Sequence, residues 1–265
     1  MGKISVFLAD WQVLFREGIH FTLSGEEEFE VIGEATSSED ALGFIQTNPP
    51  RVAVLNTDHK EIDGGIKASR FIKRNLPSVA IILIMDSYDE EQLLSVMKSG
   101  ASACLTKDAE PEDLIDTIRT VSQGNQPISE SLLRPEIALR VLGEFEDFAL
   151  MSQQLDNLLA TLTTREAEIL QQIGQKNSIE QICQSLNISE EYISQSFGFI
   201  MNKLVLNDYI REAIEAAHKD LLSSIFRGRV SGKPPTDYVT RGEFDAFKES
   251  LLERFQSVIG EIKEK

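Results

Sequence analysis

Positive charge, cysteine, tryptophan and long apolar runs are all scarce in this chain. Its 265 residues hold 26 lysines and arginines against 43 aspartates and glutamates, a net charge of -17. That excess argues against a whole-surface binder of nucleic acid or anionic membrane and leaves room only for a local basic patch. No apolar run approaches the roughly 18 residues of a membrane span. The chain enters a strand-like stretch at once, so no signal peptide is expected. The two cysteines, Cys104 and Cys183, form neither a disulfide framework nor a zinc site, which fits a reducing cytoplasm. His20, His59 and His218 are too scattered for a metal site. No nucleophile-and-base set points to an enzyme, and no cofactor is expected.

What is present is ordinary for a globular protein: 42% hydrophobic and 26% charged residues. The length suggests two domains at roughly 150 residues each, with some left for a linker or tail. Charge is unevenly spread. Residues 1–128 carry 11 basic and 21 acidic side chains, 129–160 carry 2 and 6, 161–220 carry 5 and 9, and 221–265 carry 8 and 7. Only the last segment is not acidic, and its basic residues cluster in Arg227, Arg229 and Lys233.

Strand and helix signals alternate through residues 1–128. ISVFLA (4–9), EVIGEA (30–35), VAVL (52–55), VAIILI (79–84) and 102–106 read as strands. Between them lie the amphipathic stretches 13–23, a helix capped by Ser38, 66–74, and 89–100 closed by Gly100. Pro111 opens a last helix. The alternation predicts an α/β fold with a five-stranded parallel sheet covered on both faces. Function in such a sheet sits at the carboxyl ends of the strands, which places Asp10, Trp11, Asn56, Met85 and Lys107 at the candidate site.

LADWQVLFREGI, EVIGEA and SVMKSGASACLTKDAEPEDLIDTI resemble the receiver domain of NarL/FixJ-type response regulators, with its flavodoxin/CheY-like fold. The resemblance covers nearly all of residues 3–125. It implies two adjacent acids after the first strand, an aspartyl phosphoacceptor after the third, a hydroxyl after the fourth and a lysine after the fifth. Asp10 and Lys107 match. Trp11 stands at the second acid, Met85 at the hydroxyl, and Cys104 at the aromatic switch position three residues before the lysine. Asn56 occupies the acceptor place, six residues after Pro50 and seven before Asp63.

Aspartyl phosphorylation needs a carboxylate nucleophile and a divalent cation held by carboxylates and water. An amide is no substitute, so the domain is expected to be a degenerate receiver without phosphorylation or a good magnesium site. Asp58 is the runner-up acceptor. Lys107 is expected to pair with Asp10, Trp11 to fill the vacated pocket by packing, and Cys104 to pack as a small hydrophobe.

Residues 126–160, with Leu132, Ile137, Val141, Phe145, Phe148 and Leu155 at mostly helical spacing, predict an acidic helical linker. Residues 161–220 then contain LTTREAEILQQIGQKNSIEQICQSLNISEEYISQSFGFIMNKL, which resembles the LuxR-type helix-turn-helix domain. Thr163 with Glu166 forms a capping box, Ser178 and Ser189 cap the next two helices, and Ile193, Phe197, Ile200 and Leu204 give the last one an inward stripe. The resemblance implies Lys, Thr, Lys and His where Glu191, Tyr192, Ser194 and Ser196 stand. A Glu there repels phosphate. Tyr192, Ser194, Gln195 and Lys203 are the DNA-contact candidates, with Lys176 also near the motif.

The resemblance ends near position 218, and the chain continues. Residues 221–235 form a basic Gly- and Pro-containing connector in which Arg227, Arg229 and Lys233 suit DNA phosphates. In 236–265, Thr240 and Glu243 make a capping box. Phe244, Phe247, Leu251, Phe255, Val258 and Ile262 recur at a mean step of 3.6. Leu252, Phe255, Ile259 and Ile262 also make a short coiled-coil-like seam. An apolar stripe of this kind is expected to pair with a second copy, giving a homodimer or higher oligomer. The whole predicts a phosphorylation-independent transcriptional regulator that contacts DNA. The alternative is an adaptor whose two domains contact proteins such as RNA polymerase or another regulator.

Overall fold

Short β-rich runs at the amino end build the sheet. β1 (Ile4–Ala9), β2 (Phe29–Ala35), β3 (Val52–Asn56), β4 (Ala80–Met85) and β5 (Ala103–Thr106) are all parallel, in the order β2-β1-β3-β4-β5. β3 is buried throughout and β4 nearly so, as continuous apolar strands covered on both faces must be. Strand order reverses between β1 and β3, which opens a crevice at their carboxyl ends. A computed structural model describes residues 2–57, 64–87, 89–154 and 159–227.

Five helices cover the sheet: α1 (Val13–Ser24), α2 (Ser38–Thr47), α3 (Gly64–Asn75), α4 (Glu90–Lys98) and α5 (Pro111–Ser122). Val6, Leu8, Val54, Ile82 and Ile84 meet Ile19 and Leu23 of α1 and Leu114, Ile118 and Val121 of α5 in one apolar cluster. On β1 the intervening Phe7 stacks on Phe44 of α2, with ring centroids 4.9 Å apart. The cap of α2 is Ser37 rather than Ser38. The extended backbone at Ser37 lets its hydroxyl accept from the Asp40 N–H at 3.1 Å, and Ser38 becomes the first helical residue. Gly100, at φ +80, closes α4 as its sequence position predicts.

A 3-10 turn (Pro127–Leu133) leads into α6 (Pro135–Gln154), so the linker is helical as far as Gln154. Leu132, Ile137, Val141, Phe145 and Phe148 are buried, and α6 packs on α4 and α7. α7 (Thr164–Gly174) carries the expected capping box of Thr163 with Glu166, and at α8 (Ile179–Leu186) the expected cap Ser178 also forms a capping box with Gln181. Asn187, at φ 53, ends α8 in the left-handed region. α9 (Glu190–Arg227) is one unbroken helix of 38 residues. It runs on through 221–227, where the sequence had suggested connector, because no glycine or proline falls between Gly198 and Gly228.

The chain divides into two compact units, Met1–Ala213 and Ile214–Lys265. Receiver-like sheet, linker and α7 to α9 as far as Ala213 thus share one unit. Of the second, the described part is the helical stretch up to Arg227. Among the described residues no helix is long and apolar enough to cross a membrane. Asp58, Leu155, Arg229, Lys233, the stripe of Phe244, Phe247, Leu251, Phe255, Ile259 and Ile262, and the Arg227 side chain lie outside what is described.

Candidate functional site

The turn that follows β1 supplies the centre of the crevice. Asp10 is 5% exposed, and its two carboxylate oxygens have different partners. Oδ1 accepts from the backbone N–H of Gln12 at 2.7 Å, an Asx turn. Oδ2 accepts from Nδ2 of Asn56, at the end of β3, at 2.9 Å. That bond fixes the amide's orientation, since the reverse would point a carbonyl oxygen at a carboxylate. Asn56 Oδ1 is left buried without a hydrogen-bond partner. α3 closes tightly over β3: a Cβ on Gly65 would lie 2.6 Å from the Asn56 carbonyl oxygen. Arg16 reaches back from α1, donating from Nη1 to the Asp10 carbonyl at 2.6 Å and from Nε to Glu34 at 2.8 Å. His20 also meets Glu34. Burial alone raises the Glu34 carboxyl, but the hydrogen bonds and charges of His20 and Arg16 outweigh it and hold that carboxyl below its ordinary value.

Two expectations need correction. Lys107 does not pair with Asp10. Its Nζ donates to Gln12 Oε1 at 2.9 Å and pairs with Asp86 at 2.6 Å, because neutral donors already occupy both Asp10 oxygens. Trp11 does not fill the pocket. It is 41% exposed, and the Asn56 amide itself bridges to Asp10 in the space beside it. Met85, at the end of β4, is buried, and its thioether cannot donate a hydrogen bond. Among the described residues no cluster of three or more His, Cys, Asp or Glu is placed to hold a metal. Gln12, whose N–H donates to Asp10 and whose side chain receives Lys107, escaped the sequence reading; an Asp three residues before the start of a helix was the available signal.

Cys104 on β5 is half-buried and burial pushes its thiol up to about 12. Cys183 on α8 is also raised, by burial and then by the charges of Glu190 and Glu180. Neither environment produces the thiolate that redox chemistry needs.

The second candidate surface is the start of α9. Ser189 Oγ accepts from the Tyr192 N–H at 3.1 Å and caps the helix. Ile193, Phe197, Ile200 and Leu204 face inward and are buried. Glu191, Tyr192, Ser194, Gln195 and Phe199 face solvent. Ser196 is buried and donates to the Tyr192 carbonyl at 2.7 Å, which removes it from any groove-facing set. Lys203 is likewise committed to the scaffold: it pairs at 2.6 Å with Glu166, which is buried on α7 and requires a counter-charge there. Lys176 is exposed in the turn after α7, at φ 65.

A charged seam fastens α9 to the sheet-bearing part of the same unit. Asp208 is 1% exposed and lies 3.0 Å from Arg70 of α3, 3.7 Å from Lys98 of α4 and 2.6 Å from Arg211. Glu212 pairs with Arg70 at 2.9 Å and Arg74 at 3.4 Å, and Arg74 stacks 3.9 Å over the Tyr209 ring. Glu144 of α6 takes Lys98 at 2.9 Å. Next to Asp208, the buried Asn207 side chain accepts from Ala160 N at 2.8 Å and donates to Ala160 O at 2.7 Å. Sequence reading missed this seam. The inward stripe of α9 does continue at its own spacing onto Asn207, Asp208 and Arg211, and polar side chains at core positions were the sign available.

Residues 6–119 match the response regulator receiver domain, and residues 160–216 match the bacterial regulatory proteins of the luxR family. The chain is 26% identical over 226 residues to the transcriptional regulatory protein DegU of Brevibacillus brevis, which covers 81% of this chain and 93% of that one. It is 25% identical over 219 residues to the response regulator protein VraR of Staphylococcus epidermidis, covering 83% of this chain and 99% of that one. A LuxR-family two-component response regulator from Aurantimonas sp. SI85-9A1 aligns in structure with 23% identity and a TM-score of 0.46, over 52% of this chain and 98% of that one. These relatives carry the names of regulators, not of enzymes.

Proposed function

Since the chain belongs to the response regulators that join a receiver domain to a LuxR-type helix-turn-helix domain, we propose that it regulates transcription without phosphoryl transfer. One observation carries this reading: at the acceptor position an amide donates to Asp10 at 2.9 Å, so the last acid of the pocket is occupied by a neutral partner instead of a cation. An amide does not attack a phosphoryl group, and one carboxylate with both oxygens engaged is a poor seat for magnesium.

In this reading residues 1–125 are the degenerate receiver, 126–160 the linker, 161–220 the helix-turn-helix domain, 221–235 a basic connector and 236–265 a pairing helix. DNA is contacted through Tyr192, Ser194 and Gln195, which stand exposed on α9. With Glu191 beside them and Lys203 paired to Glu166, phosphate attraction falls to the connector residues Arg227, Arg229 and Lys233. The protein works in the cytoplasm, where its DNA lies.

Trp11 is the sole tryptophan and borders the pocket, so its fluorescence is the direct test. We expect no saturable response to millimolar magnesium or beryllofluoride and no hydroxylamine-sensitive adduct after treatment with a phosphoryl donor. Either signal overturns phosphorylation independence. Gel shifts against genomic fragments at several salt concentrations test the DNA arm. Sequence-preferring complexes that weaken with salt support it, and their absence at low salt removes it.

A further inference from the structure

The outward side of α9 is unlike a solvated helix face. Opposite the buried Ile193, Phe197 and Ile200 lie Gln195, Gly198, Phe199 and Asn202, at successive steps of 3, 1 and 3 residues. Phe199 is 60% exposed, where a surface helix ordinarily turns a polar side chain. Gly198 weakens the helix relative to alanine, and no packing requires it: a Cβ there would meet nothing within 4 Å. Bare helix backbone beside an exposed ring admits close approach by another surface. Glu191 takes one hydrogen of Gln195 Nε2 at 3.4 Å, which leaves the second hydrogen and the carbonyl oxygen of that amide for another partner. Lys203, the only cation between 190 and 206, is held by Glu166.

Resting on the reading that this helix contacts DNA, we propose that its outward side selects A·T base pairs, with Phe199 packed on thymine methyl groups and the amides of Gln195 and Asn202 paired to adenine. In the major groove adenine offers N7 as acceptor and N6 as donor, which one amide meets with both its groups, and only thymine carries a methyl at C5. Guanine is disfavoured twice. It shows two acceptors, O6 and N7, which Arg or Lys reads, and this side of the helix has neither. Glu191 sets a negative oxygen against those same acceptors, whereas the adenine amine can donate to it. Residues 195 and 202 lie about 10 Å apart along the helix, the rise of about three base-pair steps. Steps of 3, 1 and 3 residues are those by which one helix face brings successive positions to base edges in the groove. Gly198, at the second of these positions, removes the side chain that would hold the ring and the backbone away from the bases.

Selection by the full chain from a pool of random-sequence DNA duplexes tests the proposal. The recovered sequences share adjacent A·T pairs. A recovered duplex is then rebuilt with uracil for thymine, which deletes the methyl groups alone, and the native chain binds it about fourfold more weakly for each methyl contacted. Phe199→Ala binds the thymine and uracil forms equally, with an unchanged circular dichroism spectrum since the ring starts in solvent. Gln195→Ala relaxes the choice of adenine by about tenfold. Gly198→Leu keeps the helix and loses the preference. Recovered sequences centred on G·C pairs, or equal binding of thymine and uracil duplexes by the native chain, overturn the A·T selection and leave DNA contact standing. A uracil penalty that persists in Phe199→Ala overturns the role of Phe199. A pool that yields no duplex at low salt overturns DNA contact itself, and this selection with it.

Discussion

Asp10 and Asp208 are both buried carboxylates, 5% and 1% exposed, and the fold treats them in opposite ways. Around Asp208 stand Arg70, Lys98 and Arg211, all within 3.7 Å. Around Asp10 stand a backbone N–H and a side-chain amide, and Lys107 is drawn away to Asp86. The difference separates a carboxylate held by opposite charges from one held by neutral donors. A buried anion with three cations fastens helices to one another. A buried anion held by neutral donors keeps a local shape and has little left with which to bind a cation.

Breaking the Asp208 seam gives the largest expected effect. Asp208→Ala removes the buried anion that Arg70, Lys98 and Arg211 share and leaves them Glu212 and Glu144, and losing one partner of a buried ionic cluster costs ~3–5 kcal/mol. Urea denaturation followed by circular dichroism reads it, and a loss under about 1 kcal/mol would mean the seam is no firmer than a surface pair. Asn56→Asp inverts the contrast at the other site. It replaces a donor with a second carboxylate against Asp10 and costs ~1–3 kcal/mol at neutral pH. The penalty shrinks on acidification as one acid takes a proton, and millimolar magnesium reduces it if the geometry still serves a cation. Thermal midpoints at pH 7 and pH 5 (each with and without magnesium) distinguish these outcomes.

Glu34 offers a smaller test. Its folded carboxyl lies below its ordinary value of 4.5, so its stabilisation is complete above that value and is lost as pH falls through the folded one. Glu34→Gln should flatten that acid limb by less than about 1 kcal/mol, read as the pH dependence of the urea midpoint. Cys104 changes reactivity alone. With its thiol pushed up to about 12, the folded chain should resist alkylation at pH 8 at that cysteine while the unfolded chain reacts readily, as peptide mass mapping would show.

Much of this was legible in the sequence because it depended on local spacing. Every strand was visible to within a residue or two of its ends, and the Thr163 and Ser178 caps follow from residues three apart. That Asn56 stands at the carboxyl end of β3 was equally a matter of counting. Pairings across long separations were not legible. Nothing local ties Arg70 to Asp208, or tells Lys107 to choose Asp86 over Asp10, because such choices are settled by which donors the fold brings within reach of an oxygen. The cap at Ser37 rather than Ser38 differs by a single residue, and backbone angle decides it.

The unbroken course of α9 gives the seam a mechanical meaning. Tyr192 and Asp208 ride on the same helix sixteen residues apart, about 24 Å at the usual rise of about 1.5 Å per residue. Because the helix is continuous between them, through Gly198, a pivot of ten degrees at the charged end swings the other tip by roughly 4 Å, more than the length of a hydrogen bond. Small adjustments among Arg70, Lys98 and Glu144 are therefore magnified where Tyr192 and Gln195 meet solvent, as a tiller turns a rudder.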